Sequence, residues 1–157
     1  MLAASEKSGV KIRHAVASDT RQVTDLLELL SPSGKSDPSP DAVTMAAALS
    51  GREGNTTTLV AEDAREGATR GQILGTCSVV FMQRLARGGC AIARLEDVVT
   101  AKAARGRGVA ATLCEAAKAE AARRGAYALD LRCVPKLVKY YGKFGWTDAG
   151  CAMRCNL

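Results

Sequence analysis

The chain carries one histidine, His14, and aromatic side chains at only 4% of its 157 positions. Each shortage removes a class of chemistry. A lone imidazole cannot complete the usual Cys/His zinc site, and the six cysteines (Cys77, Cys90, Cys114, Cys133, Cys151, Cys155) form no Cys-x-x-Cys pair, so no metal is expected. Two Phe, three Tyr and one Trp give little material for stacking bases, and the arginines are dispersed over several segments. Nucleic acid is therefore not the expected partner, despite a net charge of +6. No apolar run approaches the roughly 20 residues needed to span a bilayer, so no membrane partner is expected either. Residues 1–9 are polar and charged rather than apolar, which predicts a flexible segment and not a secretory leader. The thiols are then expected to be reduced in a cytoplasmic setting. The final Cys155-Asn156-Leu157 bears a remote likeness to a Ser-Lys-Leu address, which makes a peroxisome-like organelle the alternative.

What is present fits one domain over residues 1–157, long enough to bury about two-thirds of its unfolded surface around a single core. Val10, Ile12 and His14 alternate with Lys11 and Arg13, predicting an opening strand with His14 half-buried. Ser18 or Asp19 can cap a helix whose Val23, Leu26, Leu27 and Leu30 form one apolar stripe. Prolines and small polar residues make 31–40 an exposed connection, after which Asp41 opens a short helix ending near Ser50 and Gly51. The β-rich runs 57–62 and 72–82, split by the charged turn 63–71, read as a hairpin. A second connection at 84–89 leads to 90–100 and extends the hairpin into an antiparallel meander. Good helix formers fill 109–124, and Gly125 is suited to end that helix. Tyr127, Leu129 and Leu131 share one side of the next strand. Pro135 can open a helix running to Phe144, and 151–157 supplies a last strand. The expected class is α/β (α+β), with a mixed central sheet of about six strands flanked by helices.

The chemistry concentrates around one turn. Leu95-Glu96-Asp97-Val98-Val99-Thr100 reads as a strand, followed by Arg105-Gly106-Arg107-Gly108-Val109-Ala110 and then the long helix. Glycines at 106 and 108 let main-chain N–H groups approach a diphosphate with no Cβ in the way, while the helix aims its positive end at the anion. Arg105 and Arg107 add positive charge. The turn lacks the Gly-Lys-Ser/Thr of a triphosphate loop and the third glycine of a dinucleotide fingerprint.

Arg-x-x-Gly-x-Ala, here Arg105 to Ala110, resembles the acetyl-CoA signature of the GNAT acetyltransferase superfamily. Together with Glu96-Asp97-Val98-Val99 before it and the segment from Cys133 through Tyr140-Tyr141-Gly142-Lys143-Phe144-Gly145-Trp146 after it, the chain resembles the glucosamine 6-phosphate N-acetyltransferases, colinearly from about Val10 to its end. The resemblance implies a single GNAT-like domain whose sheet splays at the acetyl-CoA site. It implies acetyl-CoA as cosubstrate, held by Val98, Val99 and Thr100 on the strand edge and by Arg105, Gly106, Arg107, Gly108, Val109, Ala110 and Ala111 at the turn. An amino-sugar phosphate would meet Ser31, Arg84, Arg87, Glu96, Asp97 and Tyr127. Glu96 and Asp97 are the implied proton acceptors, and Tyr141 the implied acid near the CoA sulfur, with Tyr140 competing. The family commonly forms intertwined homodimers with shared active sites.

Adjacent strand residues point to opposite faces, so Glu96 and Asp97 can serve one pocket only if a bulge breaks the alternation. Two positions depart from the family pattern: Arg132 and Leu137 stand where relatives carry a carboxylate and an asparagine. Near the end, Arg154 precedes Asn156, which falls at the usual basic position. The competing readings are a GNAT enzyme for another small amine or peptide, and a non-catalytic acyl-CoA-binding module.

Overall fold

The computed structural model describes residues 9–30 and 54–150, together with 153 and 155, the side chain of Arg87 excepted. Ser31, the connection over 31–40, the helix opened by Asp41 and residues 1–8 lie outside the described residues.

Five strands form one sheet in sequence order: β1 (Val10–His14), β2 (Thr56–Asp63), β3 (Ile73–Gln83), β4 (Ala91–Thr100) and β5 (Ala126–Leu131). The first four pair antiparallel as the predicted meander. β5 joins β4 in parallel, which requires the crossover supplied by the long helix. The sixth strand expected over 151–157 lies outside the described residues apart from Met153 and Cys155, neither of which is assigned to a strand. β5 is therefore an edge of the described sheet.

Alternation on the strands separates two cores. Leu59 and Ala61 of β2 face one side and Val60 the other. On the first side lies α3 (Val109–Arg123), whose Val109, Leu113, Ala117 and Ala121 recur every four residues and pack on Val10, Ile12, Leu59, Ala61, Cys77, Val79, Ala93 and Leu95. Leu113 is fully buried, a contribution of about 2–3 kcal/mol from apolar burial. On the second side α1 (Thr20–Leu27) packs Val23 and Leu26 against Val60, Ile73 and Val99, while Leu30 stays 45% exposed. Asp19 stands at the N-cap of α1 but its side chain makes no cap bond to that helix; it closes the preceding 3-10 turn (Ala17–Asp19) by accepting the Val16 N–H at 2.9 Å, and it accepts from the two terminal Arg13 guanidinium nitrogens at 2.6 and 2.9 Å. His14 is half-buried, as its strand position predicts, with Nε2 3.8 Å from the buried Glu120.

Two short helices complete the described elements. α2 (Ala86–Gly89) is one turn inside the β3–β4 connection, and α4 (Val138–Gly142) follows a 3-10 turn at Pro135–Leu137. The helix expected to reach Phe144 stops at Gly142, because the Lys143 N–H bonds Tyr140 O and the Phe144 N–H bonds Tyr141 O in tighter turns, and Gly145 turns the chain at φ +83°. No helix among the described residues is long and apolar enough to cross a membrane.

Candidate active site

The decisive local feature is a β-bulge in β4. Ser78 pairs with Glu96 and Thr76 with Val99, so β4 spends three steps where β3 spends two. The extra residue is Asp97, at φ +55° the only described non-glycine residue in left-handed backbone. Aspartate tolerates that region better than most side chains. The bulge resets the alternation: Leu95 and Val98 both pack on the α3 side, whereas Val99 joins the α1-side core. Glu96 and Asp97 are thus not bound to opposite faces of a regular strand. Glu96 Oε1 lies 3.8 Å from Arg94 Nε. Asp97 reaches solvent, yet the protein around it partly desolvates its carboxyl and raises its pKa above the ordinary aspartate value.

β4 and β5 part at the same place. Their pairing ends at Leu95 with Leu131, while β4 continues to Thr100 bonded only to β3. The outer edge of 96–100 therefore presents main-chain N–H and C=O groups with no strand partner, the splay that the resemblance implies.

After Thr100 the chain makes one turn of 3-10 helix at Lys102–Ala104, buries Ala104, and enters 105–108. Gly106 and Gly108 sit at φ +79° and +77°. Open space surrounds both, so their role is backbone conformation and close approach, not relief of a clash. The first α-helical bond here is from Thr112 N–H to Gly108 O, which leaves the N–H groups of Val109, Ala110 and Ala111 without intrahelical acceptors at the positive end of α3. Gly75 on β3 brings this end against the bulged strand. A Cβ there would lie 2.7 Å from Val99 O, 3.0 Å from Val109 Cγ1 and 3.2 Å from Leu113 Cδ1. Arg105 is exposed, whereas Arg107 directs its guanidinium toward the buried Asp63, with Nη2 3.6 Å from Oδ2. The Arg107 side chain is thus aimed at the sheet and not at the open side of the turn.

α4 carries Tyr140 and Tyr141 in edge-to-face contact, ring centroids 5.3 Å apart. Tyr141 packs against the α3-side core and Trp146, and burial followed by the neighbouring Cys114 pushes its phenol up to about 12. Tyr140 meets Phe144 edge-to-face instead, ring centroids 5.0 Å apart. Lys118 ties this element to α3 by donating to Phe144 O at 3.1 Å and by lying over the Trp146 ring.

A bulged, splayed strand that runs straight into a glycine turn at a helix N-terminus is one continuous main-chain cradle. Residues 54–148, spanning every part of it, match the family model of the acetyltransferase (GNAT) domain. The chain belongs to the GNAT acetyltransferase family. Two rice (Oryza sativa subsp. japonica) proteins are similar to it in sequence. "Probable glucosamine 6-phosphate N-acetyltransferase 2" is 37% identical over 95 residues, 60% of this chain and 56% of that protein. "Glucosamine 6-phosphate N-acetyltransferase 1" is 36% identical over 97 residues, 60% of this chain and 55% of that protein. The chain thus matches just over half the length of these curated relatives. In structure it superposes on the glucosamine-6-phosphate N-acetyltransferase of Arabidopsis thaliana with a TM-score of 0.79 at 24% identity, over 94% of this chain and 97% of that one. GNAT enzymes use acetyl-CoA as acyl donor, and the cradle has the open N–H groups such a donor needs.

The fold brings together Glu96, Asp97, Val98, Val99, Thr100 and the turn through Ala111 along one stretch of chain, and Tyr141 packs on the α3-side core that Val98 also joins. It does not bring Arg84 to the same place. Arg84 lies beyond the Gln83–Ala91 pair, and the six steps from Ala91 to Asp97 span about 20 Å of strand. Arg87 lies in α2 with its side chain outside the described residues, and Tyr127 is 43% exposed on β5. Arg132 is exposed just past β5, and Leu137 is 37% exposed in the 3-10 turn before α4, so both departures lie where the strands have parted. Among the described residues no group of three or more His, Cys, Asp or Glu is arranged to hold a metal ion. Sequence reasoning missed Gly75 and Asp63. A glycine inside a β-run is a signal of close approach that would have flagged the first.

Proposed function

We propose that the chain transfers the acetyl group of acetyl-CoA to the 2-amino group of glucosamine 6-phosphate, giving N-acetylglucosamine 6-phosphate and CoA, a step toward UDP-N-acetylglucosamine. The observation that carries the reading is the coincidence of the Asp97 bulge, the end of β4–β5 pairing and the anion-ready turn within one stretch of chain. The rice relatives' names point to the acceptor.

In this reading the N–H groups at 106–111 take the diphosphate, and the free edge of 98–100 hydrogen-bonds the pantetheine arm. The Val98 N–H meets the thioester oxygen as it becomes an oxyanion. Asp97, with its lifted pKa, takes the ammonium proton directly or through water, and Glu96 binds sugar hydroxyls. The freed amine attacks the thioester carbon, and as the tetrahedral intermediate collapses to expel CoA thiolate the remaining ammonium proton on nitrogen passes through water to the sulfur. A phenol at about 12 is a weaker acid than a thiol near 8.5, so Tyr141 stabilises the departing sulfur chiefly by donating a hydrogen bond, and water completes protonation.

In this reading, with about 20 Å of strand between Ala91 and Asp97, a basic contact from the turn at 84–90 meets the sugar phosphate of a neighbouring protomer. The reading includes a homodimer with shared sites, for which Leu85 at 99% exposure and Val134 at 50% offer apolar surface. The open acceptor side also fits a second reading, acetylation of another small amine or peptide. A thiol-release assay with acetyl-CoA, comparing glucosamine 6-phosphate, unphosphorylated glucosamine and a peptide amine, separates the readings. Preference for the phosphorylated sugar supports the first, equal rates with all three favour the second, and coenzyme binding without turnover on any amine leaves a binding module.

A further inference from the structure

Asp63, the last residue of β2, has no solvent exposure and lies outside the acyl-transfer machinery. Its Oδ1 accepts from the Arg65 backbone N–H at 3.1 Å and from Arg65 Nε at 2.9 Å, and its Oδ2 from Arg65 Nη2 at 2.7 Å and Thr69 Oγ1 at 3.1 Å. Those contacts hold the carboxyl well below the usual carboxylate range. Gly9 makes room for the arrangement: at φ +62° it carries no Cβ, which would stand 2.5 Å from Arg65 Cγ. On the other flank Oδ2 faces Arg107 Nη2 at 3.6 Å. That nitrogen is shielded from water and has no hydrogen-bond acceptor among the described residues, so Asp63 is the anion that compensates it. The β2–β3 turn and the turn at 105–108 are thereby joined through one carboxylate.

We propose that Asp63 is a positioning residue for the coenzyme turn: through Arg107 it holds the glycine-rich backbone of 105–108 in the array that receives the diphosphate. The proposal rests on the reading of that turn as the coenzyme's diphosphate site. Charge alone predicts the opposite sign, since removing the carboxylate adds net positive charge beside the anion and would tighten binding. The direction of the effect therefore decides.

The test uses D63N, R107M and the double variant, with CoA affinity by calorimetry and steady-state kinetics on acetyl-CoA and on S-acetylpantetheine, a thioester donor that lacks the diphosphate. Each single substitution is expected to raise the acetyl-CoA KM about tenfold, and the double variant no further, because the two residues act as one unit. For D63N, kcat and the S-acetylpantetheine KM should stay within about twofold, which general loss of structure would not allow. Tighter or unchanged CoA binding by D63N overturns the proposal. If D63N does not fold, R107M carries the test, and an acetyl-CoA KM unchanged in folded R107M overturns it equally. Failure of the unmodified protein to bind CoA removes the coenzyme reading and the tether with it.

Discussion

The turns at 84–90 and 101–108 lie at opposite ends of β4, yet they are built differently. The second has Ala104 and Val109 buried beneath it, Gly75 cleared to admit it, and Arg107 tied to a carboxylate with no exposure. The first carries Leu85 at 99% exposure, an exposed Arg84, and two glycines at positive φ, Gly88 and Gly89, whose backbone is held chiefly by the Arg84–Cys90 bond and the Gln83 side chain on Gly89 O. The contrast separates two tasks. A donor recognised by main-chain N–H groups needs a fixed backbone, so its site is anchored in the core. In the proposed reaction acceptor choice is assigned to side chains at the surface, where substitution costs the fold little.

The largest break in this comparison should come at the bulge. D97N is expected to lower kcat by about 100-fold or more, the usual contribution of a general base, and to abolish the acid limb of the pH–rate profile. Because the Asp97 pKa is raised, the basic form is lost as pH falls through a value above that of ordinary aspartate, so in the unmodified protein that limb should lie to the alkaline side of the ordinary one. Full turnover in D97N with loss in E96Q would move the proton-acceptor role to Glu96. Next, G108V forces a β-branched residue to φ +77° and crowds the N–H array, and should raise the acetyl-CoA KM by about 20-fold or more from strain of roughly 1–3 kcal/mol and lost approach. Y141F should reduce kcat about tenfold without moving either KM, consistent with one hydrogen bond to a charged sulfur. R84A should raise the sugar-phosphate KM about fivefold and leave the acetyl-CoA KM alone, the value of a partly solvated charge-assisted contact. Equal effects of R84A on both constants would erase the distinction between the two turns.

Stability should follow the anchored side. Asp19, Asp63 and Glu120 all have folded pKa values below their ordinary ones, held there first by Arg13, Arg65 and Arg123. In acid the unfolded chain binds more protons at these groups, so their contribution is complete above about pH 5 and is lost progressively as pH falls through 4 and below. Thermal melts across pH 3–6 check this.

The fold was legible where local chemistry decides it. β-rich runs between turn-forming stretches placed β2, β3 and β4 to within one or two residues, and Gly108 and Gly125 bracket α3 as residues suited to left-handed backbone should. The helix after Pro135 was overextended because its early stop depends on the turn closed by Tyr140 and Tyr141 carbonyls, not on composition. Within the site, the motif residues 105–111 were visible, but the bulge was not, since register is a property of two strands and Glu96-Asp97 looks the same with or without it. Asp63 was hidden for a similar reason: Asp63-Ala64-Arg65-Glu66-Gly67 reads as a solvated charged turn until Arg65 and Thr69 fold back onto the carboxylate.

The most direct measurement is a crystal structure of the protein with acetyl-CoA. The account predicts diphosphate oxygens within hydrogen-bond distance of the N–H groups at 106–111 and the thioester carbonyl at the free edge of β4 beside Asp97. A diphosphate bound away from this turn, or a thioester remote from the bulge, would contradict it.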